Sequence, residues 1–190
     1  MTEQTLAGRY GSLAQIRADL LTVVAAGAFI ALLAQIRIPL PFTPVPVTGQ
    51  TLGVLVAGMA LGRRRGSGAV LLYLLGGALG LPVFTGFGSG LAYLSGPTGG
   101  YLLLGFPVAA WLLGLTTERR WTRAFHARFV LMLAGGLLIC SLGAVWLGIY
   151  VGFGSALTLG VLPFLPGELL KAALGATSLP VVRRFAGRGC

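Results

Sequence analysis

The sequence predicts an all-α fold, an integral membrane bundle of six transmembrane helices, and three observations carry that expectation. The first is composition: hydrophobic residues make up 56% of the chain and charged residues 9%, with a mean hydropathy of +0.90. A soluble domain has about 25% charged residues to cover its wet surface. The second is the length of the charge-free runs. Residues 20–36, 38–62, 66–117 and 129–167 contain no Asp, Glu, Lys or Arg, and one helical crossing takes about 20 apolar residues. The third is the placement of arginine in short clusters between those runs. The runs are continuous rather than alternating, which excludes a β-barrel. Five apolar spans follow the first, which argues against a cleaved signal peptide over residues 1–40. The length fits a single membrane domain, residues 1–190.

The spans are expected at about 20–38, 49–62, 66–81, 98–117, 128–150 and 166–183. The second and third are short for a full crossing and imply tilt or burial within the bundle. Arg9 and Arg17 precede the first span, and Arg63, Arg64 and Arg65 separate the second from the third. Arg119, Arg120, Arg123 and Arg128 separate the fourth from the fifth, and Arg183, Arg184 and Arg188 end the sixth. With six spans these twelve basic residues, of fourteen in the chain, share one side; an odd number would scatter them. The positive-inside rule makes that side, with both termini, cytoplasmic. The formal charge of +10 is thus topological, and no basic face for nucleic acid is formed.

The opposite loops, about 39–48, 82–97 and 151–165, carry no charge. Pro39, Pro41, Pro44 and Pro46 hold the first of them extended and stiff. The second, within LPVFTGFGSGLAYLSGPTGG (81–100), is long, glycine-rich and aromatic. Irregular backbone at membrane depth persists where it is buried in protein or lines a cavity. A lid or pocket wall explains this loop better than a plain connector.

Lys171 is the single lysine, and Glu168 is the one acidic residue within an expected span. Three residues apart, they project from one helix face. Each charge near hydrocarbon costs at least ~2.5–3.5 kcal/mol on insertion scales, a cost that mutual pairing lowers. Pro166 suits the first helical position, which puts Glu168 in the first turn, where the helix dipole favours an anion. Two readings stand: a structural ion pair, or a ligand site near the outer mouth whose strong acceptor and donor suit a group with both N–H and C=O. Gln50 after Thr48, and Thr85, Ser89, Tyr93, Ser95, Thr98 and Tyr101 around the second outer loop, offer polar anchors beside Phe84 and Phe87. Catalysis and metal binding find no support. His126 is the single histidine, in a basic loop, and Cys140 and Cys190 form no CxxC spacing. No nucleotide-binding loop occurs, and no cofactor is expected in this chain.

Four motifs in this order resemble the BioY family: QIRIPLPFTPVPVTGQTLGVLVAG (35–58), YLLGGALGLPVF (73–84), SGPTGGYLL (95–103) and LPFLPGELLKA (162–172). The resemblance covers roughly residues 15–185. It implies a six-helix S component, the substrate-specific subunit of an energy-coupling-factor (ECF) transporter, for high-affinity biotin binding and uptake across the cytoplasmic membrane. The implied partners are biotin, a membrane coupling subunit and two ATPase subunits that use the ATP. A solitary biotin uptake protein without an ATPase module is the alternative, and a membrane-embedded enzyme is disfavoured. The family's acidic residue and lysine in the last helix correspond to Glu168 and Lys171; the family often has Asp at the first. An amide contact near the Pro-Val-Phe motif does not carry over, because Thr85, Gly86, Phe87 and Ser89 stand there. The resemblance implies an outward-facing biotin pocket roofed by the loops after the first and third helices; with the polar and aromatic anchors above, it is expected to comprise Glu168, Lys171, Gln50, Phe84, Thr85, Phe87, Ser89, Tyr93 and Tyr101. The ureido group is expected against the last helix, the thiophane ring on Phe84, Phe87 and Tyr93, and the carboxylate tail toward the outer loops and Arg37. A competing pose puts the carboxylate on Lys171. A small-residue stripe, Gly27, Ala28, Ala31 and Ala34, fits a docking face for the coupling subunit, with packing inside the bundle as the other reading.

Overall fold

Gly62 has φ 78° and ψ 174°, a conformation that costs little only in glycine, and the chain reverses there. In the computed structural model the second and third spans are accordingly one element, α2 (Gln50–Ala78), kinked into two arms, 50–61 and 63–78. The arms touch closely: a Cβ on Gly66 would lie 2.7 Å from Gly58 Cα. Residues 3–116, 122 and 124–185 are described, the side chains of 3–12 and 14 excepted. Arg119, Arg120, Arg123, Arg188, Cys190 and the side chain of Arg9 lie outside that set.

α1 runs Glu3–Ala34, so the helix starts well before residue 20 and stops short of 38. After it, β1 (Arg37–Ile38) and β2 (Val47–Thr48) pair antiparallel, with Arg37 opposite Thr48. The proline-rich segment between them is their connecting loop. This small ladder is an addition to the expected all-α fold. Past α2, the second outer loop is structured, with a 3-10 turn at Thr85–Phe87 and α3 at Leu91–Leu94. A π-helical turn, Tyr101–Gly105, leads directly into α4 (Phe106–Thr116). α5 is Phe125–Val151. The third outer loop, about 151–165, forms α6 (Phe153–Gly160) and a 3-10 turn, Leu162–Phe164. α7 is Leu165–Phe185. Among the described residues six helical passes result: α1, the two arms of α2, Tyr101–Thr116, α5 and α7.

The first arm of α2 is the axis of the bundle. Every residue from 53 to 62 is buried, and α1, α4, α5 and α7 all pack against α2. Close approach depends on small residues, as it does wherever helices associate without a hydrophobic drive from water. A Cβ on Gly58 would meet Ala110 O at 2.7 Å, and one on Gly53 would meet Ile30 at 3.2 Å. Twelve helical residues rise about 18 Å, against a hydrocarbon core of roughly 30 Å. With Arg63, Arg64 and Arg65 at one boundary, Gln50 and Thr51 therefore end within the membrane rather than at its far face. That shortfall leaves room for a sunken site.

Candidate functional site

Three elements meet at the outer end of that axis. α7 contributes Glu168 and Lys171 one turn apart, and α2 contributes Thr51. Lys171 Nζ donates to Glu168 Oε1 at 2.6 Å and to Thr51 Oγ1 at 2.6 Å. Thr51 Oγ1 in turn donates to Glu168 Oε1 at 3.3 Å. Glu168 is 1% exposed and Lys171 8%. The third element is α5, where Gly136 makes the space: a Cβ there would lie 2.2 Å from Glu168 Oε2. That oxygen is buried without a hydrogen-bond partner. An ionised carboxylate presents several acceptor positions, and a buried one left unmet costs ~1–3 kcal/mol or more. The pair thus has an unused acceptor on Glu168 and one unused ammonium proton on Lys171.

A second polar cluster stands beside it. Thr48 Oγ1 and Thr85 Oγ1 each donate to Gln50 Oε1 at 3.1 Å, and Gln50 Nε2 donates to Tyr73 OH. This network fixes the start of α2 to its second arm and to the second outer loop. The space between the clusters is about 30 Å³ and is lined by both, together with Val45, Pro46, Tyr93, Thr98, Tyr101, Leu102, Phe106, Cys140 and Phe164. Outward of it lies a wider chamber of about 430 Å³, bounded by Arg37, the proline-rich loop and the second outer loop. Pro46, Thr85, Tyr93 and Thr98 line both spaces.

Of the residues singled out in the sequence, Glu168, Lys171, Gln50, Thr85, Tyr93 and Tyr101 converge on this cavity. Tyr101 contributes its ring, since its hydroxyl donates to Gly160 O at 2.8 Å. Phe84 does not line the space: it is fully buried behind Tyr93, stacked on it at 5.0 Å between ring centroids. Phe87 and Ser89 are likewise outside it. Phe87 is 69% exposed and turned away by its positive φ of 59°, and Ser89 is exposed on the loop surface. Their side chains follow the local turn, which alternation along a loop does not reveal. Thr51 escaped the sequence reading, although it follows Gln50 directly. On a helix neighbouring residues point about 100° apart, and only the docking of α7 turns Thr51 toward the ion pair. Gly136 of α5 was missed because glycine carries no polar signal, and Cys140, weighed in the sequence only for metal and disulfide chemistry, lines the cavity as a small wall residue.

The small-residue stripe of α1 faces inward. A Cβ on Gly27 would meet Ala69 O of α2 at 3.4 Å, Ala34 is fully buried and Ala31 packs against the core. Ala28 alone of the four is exposed.

The profile of the BioY family matches residues 5–188. The probable biotin transporter BioY of Pyrococcus horikoshii is 40% identical over 151 residues, which are 80% of this chain and 86% of that protein. Biotin transporter BioY2 of Lactococcus lactis subsp. cremoris is 42% identical over 157 residues, 81% of this chain and 84% of its own. Among solved structures, the S-component for biotin from an ECF-type ABC transporter aligns with a TM-score of 0.78 at 29% identity. That alignment covers 100% of this chain and 96% of the other.

Proposed function

The chain belongs to the BioY family, and from that premise we propose that it is the biotin-binding, substrate-specific subunit of an ECF transporter. It is a multi-pass membrane protein of a transport family, not of an enzyme family. The observation that carries the ligand site is that Glu168, whose Oε2 is buried and unpartnered, and Lys171 line a cavity that adjoins the outer chamber. Biotin's ureido group has two N–H donors and one C=O acceptor. Glu168 Oε2 accepts from a ureido N–H, and Lys171 donates its free proton to the ureido oxygen. Neither contact requires breaking the Lys171–Glu168–Thr51 arrangement. Tyr93, Tyr101 and Phe164 provide apolar and aromatic wall for the thiophane ring, as small-ligand pockets commonly do. The inner space of about 30 Å³ is smaller than the bicyclic head, so binding moves Pro46 and Tyr93 outward, toward the wider chamber.

Residence in the cytoplasmic membrane with both termini inside follows from the arginine placement. Energy comes from partner subunits: a membrane coupling protein and ATPases. With Gly27, Ala31 and Ala34 occupied inside the bundle, docking falls on the outward face of α1 around Ala28. It extends to the adjoining groove of about 330 Å³ between α1, the first arm of α2 and α7, lined by Ala25, Phe29, Ala57 and Ala60 among others.

The test is titration of biotin and its uncharged amide against the purified protein in detergent. Hydrogen bonds to charged groups contribute ~1.5–3 kcal/mol, so Glu168→Gln and Lys171→Met each weaken binding by roughly 10- to 150-fold. Both ligands lose affinity by similar factors, because both carry the ureido group. If Lys171→Met weakens biotin alone, Lys171 holds the carboxylate instead. A parent protein that binds neither ligand refutes the functional reading. Removing one member of a buried pair also destabilises, so the neutral double variant Glu168→Gln/Lys171→Met serves as the folded control for lost binding.

A further inference from the structure

Tyr73 lines neither space of the site, yet it touches what holds the inner one together. It is buried on the second arm of α2. Gln50 lies twelve residues before the reversal at Gly62 and Tyr73 eleven after it. At 1.5 Å per residue both arms return to the same depth, about 16–18 Å from the turn. There the Tyr73 hydroxyl accepts from Gln50 Nε2. The Tyr73 ring is fixed from behind by Phe84, edge-on at 5.5 Å between centroids. Phe84 fits in turn because Gly77, one turn beyond Tyr73, has no side chain: a Cβ there would lie 2.1 Å from the Phe84 ring. A ring held on that edge keeps its hydroxyl aimed at Gln50.

We propose that Tyr73 is a positioning residue for ligand binding: it acts through Gln50, whose amide it holds at the cavity wall while the outer segments give way. This rests on the reading of the chain as a biotin-binding subunit. Three hydroxyls meet the Gln50 amide, and they differ in what carries them. Thr48 belongs to β2 and Thr85 to the second outer loop. Both segments adjoin the part of the wall, Pro46 and Tyr93, that moves to admit the bicyclic head. Tyr73 alone of the three comes from a membrane-spanning helix, so its bond persists through that movement. Without it the amide would lose its one fixed partner, and a buried polar group left unmet is costly. An amide nitrogen carries two hydrogens. Among the described residues Gln50 Nε2 uses one of them, on Tyr73, and the other is left for the ligand in the cavity that Gln50 lines.

The experiment measures biotin affinity, dissociation rate and stoichiometry on the purified protein in detergent for the parent, Tyr73→Phe, Gln50→Met and the double variant. Tyr73→Phe keeps the ring on Phe84 and removes only the hydroxyl. It is expected to weaken biotin by about 2- to 13-fold, the worth of a neutral hydrogen bond, through faster dissociation at unchanged stoichiometry. In the Gln50→Met background the same change is expected to cost less than about twofold, because residues that act through one another are not additive. Equal losses in both backgrounds overturn the proposal, since Tyr73 then acts without Gln50. A smaller fraction of binding-competent Tyr73→Phe protein with an unaltered dissociation rate also overturns it, because the hydroxyl is then structural; this readout needs the single variant alone. Unchanged affinity in Tyr73→Phe overturns it and leaves biotin binding standing. Failure of the parent to bind biotin overturns the functional reading and this proposal together.

Discussion

Gly136 lacks a side chain where Glu168 needs the space, and that single vacancy decides where the buried carboxylate points. Replacing it with alanine puts a Cβ within 2.2 Å of Oε2, a distance no packed carbon tolerates, so the carboxylate must turn away. The expected result for Gly136→Ala is a biotin affinity reduced by roughly 10- to 150-fold, as for loss of one charged hydrogen bond. Alanine favours the helix more than glycine does, so α5 itself persists, and size-exclusion and thermal unfolding in detergent should show a folded protein. Unaltered affinity would remove Glu168 Oε2 from the ligand contacts. Glu168 and Lys171 were legible in the sequence because charge amid hydrocarbon is costly and therefore conspicuous. Gly136 was not, because its function is to be absent.

At the scale of elements, α1 presents two different faces. Gly27 lies against Ala69 O of α2, Ala31 and Ala34 pack inward, and Ala28 looks outward. Overpacking a close seam costs ~1–3 kcal/mol or more, so Ala31→Trp should lower the unfolding temperature and reduce biotin binding with it. Ala28→Trp adds bulk on the open face: binding to the isolated protein should be unchanged, while uptake and co-purification with coupling subunits fall. Equal uptake in parent and Ala28→Trp cells would take this face out of the docking surface. The small-residue spacing was readable in the sequence, yet its direction was not. A glycine-alanine stripe permits close approach to any helix, inside or outside the bundle, and only the position of α2 selects the partner.

Across the whole molecule the arginine clusters and the six passes make one statement about sidedness. A cysteine placed at Arg64, in a chain with Cys190 changed to serine, should react with a membrane-impermeant maleimide only from the cytoplasmic side. One placed at Ser89, which is exposed on the second outer loop, should react only from outside. Cys140 is buried and should contribute little background. Labelling of both positions from the same side would contradict an even number of crossings between the termini and the shared placement of the basic clusters.

The sequence by itself determined the class, the number of passes and the ion pair of the last helix. Each of these follows from one-dimensional quantities: apolar run length against bilayer thickness, and the cost of placing charge in hydrocarbon. Tertiary structure alone decided the rest. Gly62 turned two short spans into one reversing element whose first arm ends at pocket depth. The docking of α2, α5 and α7 brought Thr51 and Gly136 to Glu168, and the turn at Gly86 sent Phe87 and Ser89 away. Those outcomes depend on which helix faces meet and on the backbone angles of single glycines, and neither is written in the spacing of residue types along the chain.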